Sequence, residues 1–145
     1  MHVSENCFAM DIVESDTSLR YNSYNLPSSI TGMWLHSENS SVCKAALAAL
    51  CNISVNVDSN QVCEITSEDL DSVVQVMRVH QTVKAVQESA IILLRNFTFS
   101  PANVLVLEQS PFLASLVKSA MSTHNDHFQG RAEDLLRVLP PPTSQ

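Results

Sequence analysis

The only group of metal-ligand side chains in this 145-residue sequence is His124-Asn125-Asp126-His127. Imidazoles and carboxylates hold zinc and activate water, so a metal-assisted hydrolase here would use His124 and His127. A stable site wants three or four ligands in fixed geometry, and no third Cys, Glu or His position accompanies these. Nucleophilic catalysis has no better footing. Ser, Cys and His are all present, but without a nucleophile elbow or a pair of carboxylates at working spacing. Glu133-Asp134 reads as the solvated face of a helix. We therefore expect a non-catalytic chain with no cofactor and no metal.

The four cysteines, Cys7, Cys43, Cys51 and Cys63, form no CxxC pair. Residues 1–20 lack the basic start and apolar stretch of a secretory signal, so free thiols in a reducing compartment are expected, cytoplasmic or nuclear. With Gly32 and Gly130 as the only glycines, a Gly-rich phosphate loop is excluded. The net charge of −7 comes without any Lys/Arg cluster, which argues against nucleic-acid binding. Ala90 to Leu94 is the longest apolar run, far below the ~20 residues of a membrane span. At 45% hydrophobic residues, the chain has the material for a core.

What positions these residues is a repeat. Met33, Met77 and Met121 are each followed three residues later by a histidine, His36, His80 and His124, at intervals of 44 residues. A second segment recurs in step. Val42, Ala46, Ala49, Leu50 and Ile53 superpose on Val86, Ala90, Leu93, Leu94 and Phe97, and then on Phe128, Ala132, Leu135, Leu136 and Leu139. The spacing i, i+4, i+7, i+8, i+11 is one stripe of an α-helix, so each copy predicts a helix of about three turns. Cys43 and Cys51 flank that stripe as half-buried packing residues.

A second helix precedes each of these. Leu70, Val73, Val74 and Met77 carry its pattern, as do Leu113, Leu116, Val117 and Ala120, with a thinner version in Leu26, Ile30 and Met33. The repeating histidines follow this helix, where an imidazole bonds the last free carbonyls and meets the helix dipole. A third, short helix is expected at 60–65 and at 101–109. Ser100-Pro101 and Ser110-Pro111 each read as an N-cap serine with proline at the first helical position. Trp34 is either packed between repeats or a partner anchor. The resulting layout is a partial repeat or cap over 1–25, repeats at about 26–54, 55–98 and 99–139, and a disordered Pro-rich tail over 140–145.

A period near 42–44 and a long third helix ending in Leu50-Cys51-Asn52-Ile53-Ser54 and Leu94-Arg95-Asn96-Phe97-Thr98 resemble the armadillo repeat, with HEAT repeats as the related class. The resemblance covers about residues 26–139. It implies an all-α, right-handed solenoid whose third helices line a concave groove. It also implies that Asn52 and Asn96 meet the backbone of an extended peptide. An amide carries both a donor and an acceptor, so asparagines one repeat apart would track a peptide without reading its sequence. The competing reading is that the asparagines cap helix ends.

Three departures narrow the resemblance. Val138 stands where a third asparagine would be. Ala48, Ile92 and Asp134 stand where receptors for nuclear-localisation signals carry tryptophan. The usual glycine between the first two helices is missing, with Ser67 and Ser110 near that point. Lys44, Glu88 and Arg131 lie near the groove with mixed sign. The expected partner is a protein or peptide held on the concave face. The alternative is a structural piece of a larger array that self-associates through an uncapped end.

Overall fold

The computed structural model describes residues 33, 35–56, 61–62, 64–124 and 128–140. These form six helices and one short ribbon. The helices are α1 (Ser40–Ile53), α2 (Ser67–Val79), α3 (Lys84–Phe97), α4 (Pro101–Glu108), α5 (Leu113–His124) and α6 (Gln129–Val138). The ribbon pairs β1 (Val55–Asn56) with β2 (Gln61–Val62) antiparallel, Val55 opposite Val62. The fold class is all-α. Trp34, the segment 1–32 with its expected partial repeat, and the tail 141–145 lie outside the described residues.

Helix starts are set by local chemistry. Asn39 caps α1, its Oδ1 accepting from Val42 N at 3.1 Å. Thr66 and Asp69 form a reciprocal capping box on α2, at 3.1 Å from Asp69 N to Thr66 Oγ1 and 2.9 Å from Thr66 N to Asp69 Oδ2. Such a cap contributes ~1 kcal/mol. Pro101 occupies the first turn of α4 as its fixed φ favours, although the Ser100 side chain makes no capping bond.

Helices α1, α3 and α6 carry the predicted stripe. α3 lies between α1 and α6, and these two pairings are the most extensive in the molecule. α2 packs on α3, α5 packs on α6 and on α2, and α4 packs on α2. The stripe is fully buried in α3, through Val86, Ala90, Leu93, Leu94 and Phe97. Leu47 and Ile91, which the stripe omits, are also fully buried. One apolar cluster runs from Met33 to Leu139.

Two expected elements are corrected. The short helix expected at 60–65 is absent, and Gln61–Val62 is a strand. β-branched Val55 and Val62 suit a ladder, and Asp58-Ser59-Asn60 are turn formers, so local propensity overrides analogy with the following repeat. Pro111 does not open α5. A turn covers Pro111 and Phe112, closed by Leu113 N to Ser110 O at 3.3 Å, and the helix starts at Leu113.

Two of the histidines do meet carbonyls, but those of residues 43 positions back instead of their own helix. His80 Nε2 lies 2.7 Å from Ser37 O, and His124 Nε2 lies 2.8 Å from Gln81 O, each 43 residues back. A carbonyl only accepts, so Nε2 carries the hydrogen in both. The carbonyls behind α2 are served by a residue the sequence reading passed over. Buried Gln87 donates through Nε2 to Met77 O at 3.1 Å and His80 O at 2.9 Å. Cys43, its counterpart 44 residues earlier, points its thiol at His36 O and Ser37 O, 3.7 and 3.6 Å away.

Candidate functional site

Seven residues per two turns leave each long helix with one outward face opposite its buried stripe. On α1 that face carries Lys44, Ala48 and Asn52; on α3 it carries Glu88, Ile92 and Asn96. Because α1 and α3 lie side by side, the repeat period places the two sets in register. On α6 the register positions are Gly130, Asp134 and Val138, with Arg131 next to the first. Lys44 and Asn52 are exposed, and the other four are half-buried.

The two asparagines differ. Asn52 Nδ2 donates to Ala48 O of its own helix at 3.0 Å. Asn96 reaches back to the end of α1, where Nδ2 lies 3.3 Å from Cys51 O and 3.2 Å from Ser54 Oγ. Ser54 is buried and donates its own hydroxyl to Cys51 O at 2.9 Å. Asn96 therefore ties down the end of α1. The acceptor Cys51 O fixes which amide atom is nitrogen. Its donors are committed, and among the described residues no donor reaches Asn96 Oδ1. The expected two-way pairing with a peptide unit reduces at Asn96 to an acceptor for a peptide N–H.

Charged groups knit α3 to α6. Arg95 Nε meets Asp134 at 3.3 Å, and Arg137 meets the same carboxylate at 2.7 Å. Arg131 lies 3.8 Å from Glu88. Asp134 is thus an ion-paired residue rather than simply solvated, whereas Glu133 is exposed. The Arg95 guanidinium also sits 5.6 Å from the ring of Phe99, which is 58% exposed just past α3. Phe99 completes the surface at the C-terminal ends of the helices. Its position outside the helical stripe gives it no periodic signal in the sequence.

Cys51 faces inward between repeats, its thiol donating to Ser89 O at 3.3 Å. Burial pushes this thiol up to about 12, against a weaker downward pull from Arg131. Burial raises Cys43 as well. The unfolded chain loses thiol protons above the ordinary value of 9.0, while the folded chain keeps them until about 12. The folded state then binds more protons, so stability falls as pH rises through that window. Urea midpoints should drop as pH rises from about 9 to about 11, and Cys51→Ala should reduce the drop, leaving the share of Cys43. An equal drop in the variant would place the titration elsewhere.

A concavity of about 290 Å³ lies away from this face, between α2, α4 and the turn before α5. Exposed Phe112 forms its rim, with the Arg78 guanidinium 5.9 Å from the ring. Among the described residues no group of three or more His, Cys, Asp or Glu is placed to hold a metal ion. His124 spends Nε2 on Gln81 O, and Asn125, Asp126 and His127 lie outside the described residues. No described helix is long and apolar enough to cross a membrane. No family model, curated protein or solved structure matches this chain.

Proposed function

We propose that the chain is a non-catalytic protein-interaction module, built as a right-handed armadillo-like solenoid of about three repeats. Its outward α1–α3–α6 face takes an extended peptide or a partner helix. The observation that carries this reading is the register of Asn52 and Asn96 on neighbouring helices, one period of 44 residues apart. Asn96 presents its amide oxygen where a peptide N–H would pass. Ala48 and Ile92, both half-buried, stand between the polar positions of their helices. Free Cys43 and Cys51 suit a reducing compartment, cytoplasmic or nuclear.

The test is a pair of substitutions, Asn52→Ala with Asn96→Ala, assayed on peptides selected from a random display library. Each lost hydrogen bond is worth roughly 0.5–1.5 kcal/mol, so the double variant should bind about tenfold more weakly. Asn96 also holds Cys51 O and Ser54 Oγ, so the thermal midpoint should fall by a few degrees while the protein stays folded. Unchanged affinity would remove the asparagines from the site.

A second reading, a subunit that self-associates through an open edge, draws on Leu35, which is 71% exposed at the edge preceding α1. The opposite edge does not invite stacking. The α6 position equivalent to buried Leu47 and Ile91 is Glu133, exposed beside exposed Gly130 and Arg137. Sedimentation decides between the readings. A monomer at tens of micromolar favours the peptide surface alone, and a concentration-dependent dimer lost in Leu35→Glu favours association.

A further inference from the structure

We infer that the occupant of the α1–α3–α6 face is an acidic extended peptide carrying two carboxylates about six or seven residues apart. This rests on the reading of that face as a peptide surface and adds the chemistry of its ligand.

The chain as a whole has a net charge of −7. The outward face inverts that sign. Among the described residues, Lys44 and Arg131 with Arg95 and Arg137, which reach the face from its margin through their pairs with Asp134, stand against Glu88 and Asp134. Glu133 occupies the register position of Leu47 and Ile91 and points off the face. The two carboxylates on the face are already engaged. Glu88 faces Arg131 at 3.8 Å, and Asp134 is shared between Arg95 and Arg137. One guanidinium in that triad is therefore in excess of the local negative charge. Arg137 is the exposed member, with its side chain 73% accessible. At the other end of the row Lys44 is exposed, and among the described residues no carboxylate pairs with it. Two positive points remain, one at each flank of the asparagine row. Phe99 backs the Arg95 guanidinium, which holds that end in place.

The spacing follows from helix geometry. Neighbouring packed helices lie about 8–10 Å apart, so α1 to α6 across α3 is roughly 20 Å. Lys44 sits near the start of α1 and Arg137 near the end of α6, which adds about two turns, ~10 Å, along the helices. The diagonal is about 22 Å, and an extended chain rising ~3.3 Å per residue crosses it in six or seven residues. A basic peptide would meet like charge at both flanks. Arg95 comes from α3 and Arg131 and Arg137 from α6, with Glu88 and Asp134 interleaved, so no continuous basic stripe of the kind nucleic acid needs is formed.

The experiment uses the full chain, low salt and a random display library of peptides of about twelve residues, with the selected peptides then synthesised and titrated by fluorescence anisotropy. The expected result is enrichment of acidic peptides with the predicted carboxylate spacing. Lys44→Glu with Arg137→Glu should weaken them about tenfold and flatten the dependence on salt, and circular dichroism should be unchanged because both positions are exposed. Asn52→Ala with Asn96→Ala is run in parallel. Selected peptides that are basic or uncharged, yet still weakened by the asparagine variant, would overturn the acidic ligand and leave the peptide surface standing. Peptides indifferent to the asparagine variant, or no selected peptide at all, would overturn both.

Discussion

Phe97→Ala should lower the unfolding free energy by about 3–5 kcal/mol, the largest loss expected from one side chain among the described residues. The ring is completely buried at the end of α3, the helix packed between α1 and α6. It is also the bulkiest of the fully buried side chains. Removing it takes away the transfer free energy of the ring and leaves a cavity that α1 and α6, already tied to α3, cannot collapse to fill. Domains of this size have only about 5–15 kcal/mol in reserve. The variant should therefore unfold at a much lower urea concentration and could fail to accumulate at all. Phe97→Leu keeps most of the volume and should cost under half as much, which keeps the comparison measurable. A loss below about 1 kcal/mol for the alanine variant would mean that the ring is not in the core.

Gln87→Met should destabilise by about 1–3 kcal/mol, although the substitute is apolar, similar in size and bound for a buried site. Volume is nearly conserved, so the cost isolates hydrogen bonding. Gln87 Nε2 serves two carbonyls at the end of α2, Met77 O and His80 O. His80 O also accepts from Val83 N at 3.0 Å, so Met77 O loses most. A carbonyl buried without a donor pays its desolvation in full. Equilibrium urea unfolding should show the lower midpoint with an unchanged m-value, because the same surface is exposed on unfolding. A stabilised variant would mean that water reaches those carbonyls in the native protein.

The sequence speaks most clearly where one helix face is buried along its whole length. The stripe on α3 is legible because five apolar positions recur at helical spacing and recur again one period away. The edges are harder to read. Residues 55–62 are too few for helical periodicity, so the ribbon is visible only through the β-branched valines and the turn formers. The asparagines were legible as a pair, but their partners were not. Whether an amide faces solvent or the preceding helix depends on how far two helices are offset, and a single chain of letters does not carry that offset. The same limit applies to His80 and His124. Their recurrence is plain in the sequence, while the carbonyls they serve belong to another repeat. Gln87 lay hidden because a polar residue adjoining a buried stripe reads as surface. Its counterpart Cys43 does the same job with a thiol, so the role recurs without the residue type.

The ties from His80 to Ser37 and from His124 to Gln81 each close a loop of 43 residues, and Asn96 to Cys51 closes one of 45. The separation is set by the period and not by position along the chain. Loop-closure entropy grows only with the logarithm of loop length, so each closure costs the same as the last. On closure entropy alone, neither the α1–α3 nor the α3–α6 contact has precedence over the other. Lengthening such a chain by whole periods adds steps without making any one of them slower.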